Sequence, residues 1–147
     1  MASYTELFAE FVRLEIELWN GLDEHLHVSA GITLAQFQAL SSIRKNASSA
    51  RVQDISTELA ITVGATSKLV DRLERDGLAV RSANPDDRRS SVINLTAKGH
   101  GALTAADFEA EAHLSRVLGN ALSAESVGSL LAELASFRSH YGAVKTA

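Results

Sequence analysis

The sequence predicts a mainly α fold carrying one small antiparallel β wing. Three observations lead there. Apolar residues recur at three- and four-residue spacing towards both ends of the chain, as amphipathic helices require. Between those ends, two short helical segments meet at a tight turn after Leu59. Directly behind them, Leu78-Ala79-Val80-Arg81 and Ser91-Val92-Ile93-Asn94-Leu95 alternate in character around the turn sequence Asn84-Pro85-Asp86-Asp87, the pattern of two half-buried strands.

The first helix is expected over about residues 3–28. Tyr4, Leu7, Phe8, Phe11, Leu18, Trp19, Leu22 and Leu26 form its stripe, and Val12, Leu14 and Ile16 broaden it. One small chain offers little to cover so wide a stripe, which points to a partner subunit. The second helix has clear punctuation. Thr33 and Gln36 form a capping box, and Ile32 and Phe37 are placed as a hydrophobic staple. Phe37, Leu40 and Ile43 then line its buried face, and the polar, small-residue stretch from Lys45 to Ala50 ends it.

The third helix, Val52 to Leu59, turns Val52, Ile55 and Leu59 inward. Thr62 is a good N-cap for the fourth, whose inner stripe is Thr66, Leu69, Val70 and Leu73. Gly77 followed by Leu78 reads as a Schellman-type stop. Val63, Gly64, Ala65, Ser67 and Lys68 then face outward, with Asp71, Arg72 and Arg75 further along. Helix, turn, helix and basic hairpin, over about residues 33–100, is the layout of a winged helix-turn-helix. That module sets one helix in the DNA major groove and a wing beside it.

An isolated Lys or Arg on a helix face is ordinarily a solvated charge. The basic hairpin behind this helix turns the reading towards double-stranded DNA. The expected DNA-facing set is Thr62, Gly64, Ala65, Ser67, Lys68 and Arg72 on the helix, with Arg81, Arg88, Arg89 and Ser90 on the wing. Small residues at the helix start let the backbone approach the bases, and Ser67 and Lys68 reach base edges or phosphates. Beyond the wing, Thr96 caps an alanine-rich helix that Gly119 or Asn120 ends. Ser123 caps a final helix with Val127, Leu130, Leu131, Leu134 and Phe137 at helical spacing.

The run LERDGLAVRSANPDDRRSSVINLTAKG, within a match from about Ile32 to Leu103, resembles the MarR family of bacterial transcriptional regulators. The resemblance implies a single domain over residues 1–147, with dimerisation helices at about 3–28 and 97–143 interlocking with those of a second subunit. It implies that Asp87 is the orienting carboxylate of an Asp-x-Arg wing element, Arg89 its groove-reading arginine, and Arg88 a phosphate contact. It further implies a small aromatic or anionic effector between the dimerisation helices and the DNA-binding lobe. Arg13, Trp19, Leu22, His25, Phe37 and Leu40 are the candidates, and they read equally well as plain core and surface. Three positions depart from the family pattern: Ala60 stands at a turn glycine, Thr66 at an inner aliphatic, and Val63 where many members carry a polar or basic residue.

Bulk properties agree with one cytoplasmic domain, nucleoid-associated when bound to DNA. The 147 residues are 46 % hydrophobic, enough for a core without metals or disulfides. No cysteine is present, which excludes a disulfide framework, a thiolate zinc site and a catalytic thiol. Glu6 and Glu10 interrupt the apolar N-terminus, so neither a signal peptide nor a membrane anchor is expected. The net charge of −4 is unevenly spread. Residues 51–100 hold eight Lys/Arg against seven Asp/Glu, and the rest hold six against eleven, so the acidity lies in the flanks.

His25, His27, His100, His113 and His140 fit no nucleophile or metal pattern, so no catalytic residue, metal or cofactor is expected. The leading reading is a sequence-specific, ligand-responsive regulator, most often a repressor, acting as a homodimer on a pseudo-palindromic operator. The rival is a winged helix used as a protein-interaction module without DNA binding.

Overall fold

Ser3 opens the first helix with a capping box. Its hydroxyl accepts the Glu6 N–H at 3.1 Å while the Glu6 carboxylate accepts the Ser3 N–H at 2.7 Å. In the computed structural model, which describes Met1 and residues 3–146, the order is α1 (Tyr4–Ser29), α2 (Leu34–Lys45), α3 (Val52–Leu59), α4 (Val63–Arg75), β1 (Ala79–Ala83), β2 (Ser91–Leu95), α5 (Ala97–Leu118) and α6 (Ala124–Thr146). Two compact units divide the chain, Met1–Glu111 and Ala112–Ala147. The mainly helical, two-stranded composition is the predicted one.

In the first unit the core is shared by every element. Leu26 of α1, Leu40 and Ile43 of α2, Ile55 of α3, Val70 and Leu73 of α4, Ile93 of β2 and Leu103 of α5 are all fully buried. Each such side chain contributes about 1.5–3 kcal/mol of apolar burial. Of the stripe expected on α1, the chain itself buries only Leu22 and Leu26; Tyr4, Leu7, Phe8 and Phe11 stay exposed. Asp23 fastens α1 to the next helix by accepting the Leu34 N–H at 2.6 Å.

The α2 cap is as expected, with Thr33 and Gln36 bonded reciprocally at 3.0 and 3.1 Å. Its inner face differs. Phe37 is only half-buried, and Leu34, Ala39, Leu40 and Ile43 share the interior with polar Gln36 and Ser42. Packing against α1, α3, α4 and β2 at once widens the buried arc beyond one apolar stripe. Both polar groups are satisfied: Gln36 donates to Asp76 at 2.8 Å and Ser42 to Glu58 at 2.8 Å.

The first strand runs from Ala79 to Ala83 rather than from Leu78 to Arg81. Leu78 is committed to the α4 stop, donating to the Leu73 carbonyl at 2.8 Å while Gly77, at φ 72°, donates to Glu74 at 2.9 Å. The antiparallel register then pairs Ala79 with Leu95 and Ala83 with Ser91. The free edge of β2 takes one further main-chain bond, Ile93 N–H to the Ala50 carbonyl at 2.8 Å, which ties the wing to the segment before α3. Thr96 caps α5 through the Gly99 N–H at 3.0 Å. A Cβ at Gly99 would lie 1.9 Å from the Leu78 carbonyl oxygen, so only glycine lets α5 start against the root of the wing.

In the second unit α5 ends at Leu118. Ser123 opens α6 by accepting the Ser126 N–H at 3.1 Å. Val127, Leu130, Leu131, Leu134 and Phe137 of α6 are exposed in the single chain.

Candidate nucleic-acid interface

The outward face of α4 is set by what holds its inward face. Thr66, Leu69, Val70 and Leu73 are buried, and the Thr66 hydroxyl, an odd group for a core, donates to the Thr62 carbonyl at 2.9 Å. Thr62 itself caps the helix, accepting the Ala65 N–H at 3.2 Å. Val63, Gly64, Ala65, Lys68 and Arg72 are left exposed, with Ser67 half-buried. Among the described residues Lys68 and Arg72 make no ion pair or side-chain hydrogen bond, so both charges stand open to an anion.

Short-range bonds preform the wing tip. Asn84 accepts the Asp86 N–H at 3.0 Å and donates to Ser90 at 2.9 Å. Asp87 accepts the Arg89 N–H at 2.9 Å, and its carbonyl accepts the Ser90 N–H at 3.2 Å. Asp87 therefore orients the main chain at Arg89 rather than gripping its guanidinium. The Arg88 and Arg89 side chains are exposed and, among the described residues, unpaired.

Arg81 stands apart from the other expected contacts. Its guanidinium donates to Asp71 at 2.8 Å and bonds Glu74 closely, and its backbone N–H donates to Glu74 Oε1 at 2.9 Å. Partial burial works against its charge, but the hydrogen bond to Asp71 and the pull of Glu74 outweigh it and raise its pKa above the ordinary value. With its side chain 26 % exposed, Arg81 fastens the first wing strand to α4 and is not an open cation.

A cleft of about 500 Å³ brings the parts together. Val63 and Ser67 of α4 and Arg81, Arg89, Ser90 and Ser91 of the wing line it, with Arg51, Val52 and Gln53 at the start of α3. Arg51 escaped the sequence reading. Its signal was a basic residue at the N-cap position of α3, three before Asp54, which accepts its N–H at 3.0 Å and pairs with its Nε at 3.5 Å.

The effector candidates sit in different settings. Leu22 and Leu40 are core, and Arg13 is exposed beside Glu17 at 4.0 Å. His25 bonds Glu109 at 3.0 Å, Phe37 is half-buried, and Trp19 lines a shallow depression with Glu15, Ile16 and Asn20. Among the described residues no three His, Asp or Glu side chains are grouped to hold a metal ion, and no helix is long and apolar enough to cross a membrane.

A capped helix backed by a helix-turn and flanked by a basic two-stranded hairpin defines a winged helix-turn-helix protein. Residues 30–90 match the profile of the MarR family. The chain is 35 % identical over 106 residues to the multiple antibiotic resistance protein MarR of Escherichia coli K12, an alignment covering 67 % of this chain and 72 % of that one. Among solved structures it is similar to a MarR-family transcriptional regulator from Rhodococcus sp. RHA1, with TM-score 0.83, 20 % identity, and 93 % and 95 % of the two chains covered. It is also similar to a mutant Escherichia coli MarR complexed with operator DNA, with TM-score 0.74, 25 % identity, and 92 % and 99 % covered. The chain belongs to the MarR family of winged helix-turn-helix, DNA-binding transcriptional regulators, which are not enzymes.

Proposed function

We propose that this chain is a homodimeric, ligand-responsive repressor that reads a pseudo-palindromic operator with α4 and its wing. One observation carries the reading: Lys68 and Arg72 on α4 and Arg88 and Arg89 on the wing are all exposed and, among the described residues, without internal partners, while Asp71 and Glu74 of α4 are taken up by Arg81. Thr62, Gly64, Ala65 and Ser67 lie in the major groove, with Lys68 and Arg72 at its edge. Arg88 meets phosphate and Arg89 enters the minor groove, where a narrow A·T-rich stretch concentrates negative potential. Arg51 is added to the set from the cleft, and Arg81 is assigned to support rather than contact. Ser90 and Asp87 shape the wing.

The exposed apolar side chains of α1 and of α6 support the dimer. Two wings and two recognition helices then face a two-fold operator. An effector acts by favouring a conformer with the wrong spacing between recognition helices. Its class is a small aromatic or anionic molecule, and Trp19 is the candidate side chain left at a surface depression. With no cysteine, the trigger is not thiol oxidation.

Fluorescence anisotropy on the chain's own upstream DNA across a salt series tests the reading. Each phosphate contact contributes about −0.9 to the log–log slope, so Arg88→Ala in a two-fold complex flattens it by nearly two units. Arg89→Ala lowers affinity and weakens the preference for A·T-rich flanks. No binding to that DNA at low salt overturns the reading in favour of a protein-interaction module.

A further inference from the structure

We infer that Val63 is a specificity-determining residue that reads the C5-methyl group of thymine, so that each operator half-site places a thymine under the start of α4. The inference rests on the DNA-binding reading above and narrows it to a base. Val63 is 46 % exposed at the first position of α4 and lines the cleft that also holds Ser67, Arg51 and Arg89. A valine is β-branched and stiff in a helix, so its isopropyl group is presented in one orientation. Nearly half of its surface stays open to solvent, and it lies outside the core that Leu69, Val70 and Leu73 build behind it.

Its neighbours sharpen the point. Gly64 and Ala65 are exposed as well, and a Cβ at Gly64 would meet nothing within 4 Å, so the backbone at this turn has open space around it. Beyond the capping Thr62, the leading turn of α4 therefore presents no exposed side-chain hydrogen-bonding group. Val63 meets a base edge only through hydrocarbon.

In the major groove the hydrocarbon on a base edge is the thymine methyl; cytosine, guanine and adenine offer donors and acceptors there. A valine pressed against one of those strips water from a polar group and returns no hydrogen bond, which disfavours them. Polar readout falls to Ser67 and Lys68 one turn on, and charge anchoring to the cations on either side.

The test uses the full chain, with the footprinted duplex from its own upstream region as probe. Thymines in the half-sites are replaced one at a time by deoxyuridine, which removes only the methyl. At one position per half-site the parent should lose about fourfold in affinity, the scale of one buried methyl-sized group, and about fifteenfold when both half-sites are substituted. Val63→Ala, a surface change that leaves the core intact, should bind substituted and unsubstituted duplexes alike. A parent indifferent to every deoxyuridine, or a Val63→Ala protein as sensitive as the parent, overturns the inference while leaving DNA binding in place. Failure to bind the unmodified duplex overturns the DNA-binding reading itself, so the two failures are distinguishable.

Discussion

Arg81 joins two elements that a helix stop and a turn would otherwise leave loosely coupled. It reaches Asp71 and Glu74 on α4 from β1, with side chain and backbone both engaged. Hydrogen bonds to charged groups contribute more than neutral ones, so Arg81→Ala is expected to cost about 1–2 kcal/mol of stability in urea melts. On the proposed assignment of Arg81 to wing support, the same variant should bind operator more weakly with its salt slope nearly unchanged. A slope flattened by nearly two units would reassign Arg81 to phosphate. Glu58 is a second side chain with a measurable signature. The Ser42 hydroxyl donates to it, and Lys45 pairs with it at 3.1 Å. The hydrogen bond from Ser42 holds its carboxyl below the usual carboxylate range, against the partial burial that pushes the other way. A depressed folded pKa stabilises above the unfolded value and is lost as pH falls through the folded one. Glu58→Gln should therefore cost a fraction of about 1 kcal/mol at neutral pH, since solvent screens the pair. The gap between parent and variant should close as pH falls through the depressed Glu58 pKa. A pH-independent difference would count against the bond.

At the scale of elements, the turn from α3 to α4 decides how the recognition helix is presented. Ala60 sits at φ 54° and ψ 37°, left-handed space, and the turn is closed by Ile61 N–H to the Ser56 carbonyl at 3.2 Å and the Ser56 hydroxyl to the Ile61 carbonyl at 2.7 Å. An alanine there carries about 1 kcal/mol of strain. Ala60→Gly removes the strain but adds unfolded-state freedom worth about 0.4–1 kcal/mol, so a small net gain of up to about 0.5 kcal/mol is expected. Ala60→Val should lose more than about 1 kcal/mol. Denaturant midpoints of the three proteins check the order. A glycine variant less stable than the parent by over about 1 kcal/mol would refute the strain argument.

For the whole molecule the unanswered surface is apolar. Phe8 is 65 % exposed and Leu131 63 %, and large exposed apolar side chains in number mark an interaction surface. Sedimentation at low micromolar concentration should give one dimeric species. Phe8→Asp changes a side chain that the lone chain does not bury, so a monomer would be unaffected. A dimer should dissociate at least tenfold more readily. A well-folded monomeric parent would remove the basis for a two-fold operator.

Much of this protein is legible without coordinates, because capping and periodicity are local. The Thr33–Gln36 box, the Thr62 cap, the Gly77-Leu78 stop, the buried stripe of α4 and the self-bracing Asn84–Ser90 turn all depend on residues within one or two turns of each other. By itself the sequence determined the element types, the outward face of α4 and the cations on the wing. Only the tertiary structure decided which of those cations is free. Arg81 and Arg89 look alike in a string of letters, but the path from α4 through Gly77 into β1 brings one against Asp71 and Glu74 and leaves the other open. The same folding places Arg51 beside Val63 and Ser67, buries Gln36 on Asp76, and keeps Phe37 half out of the core. These are meetings between elements distant in sequence. Their geometry is fixed by packing and turn direction, which local spacing does not encode.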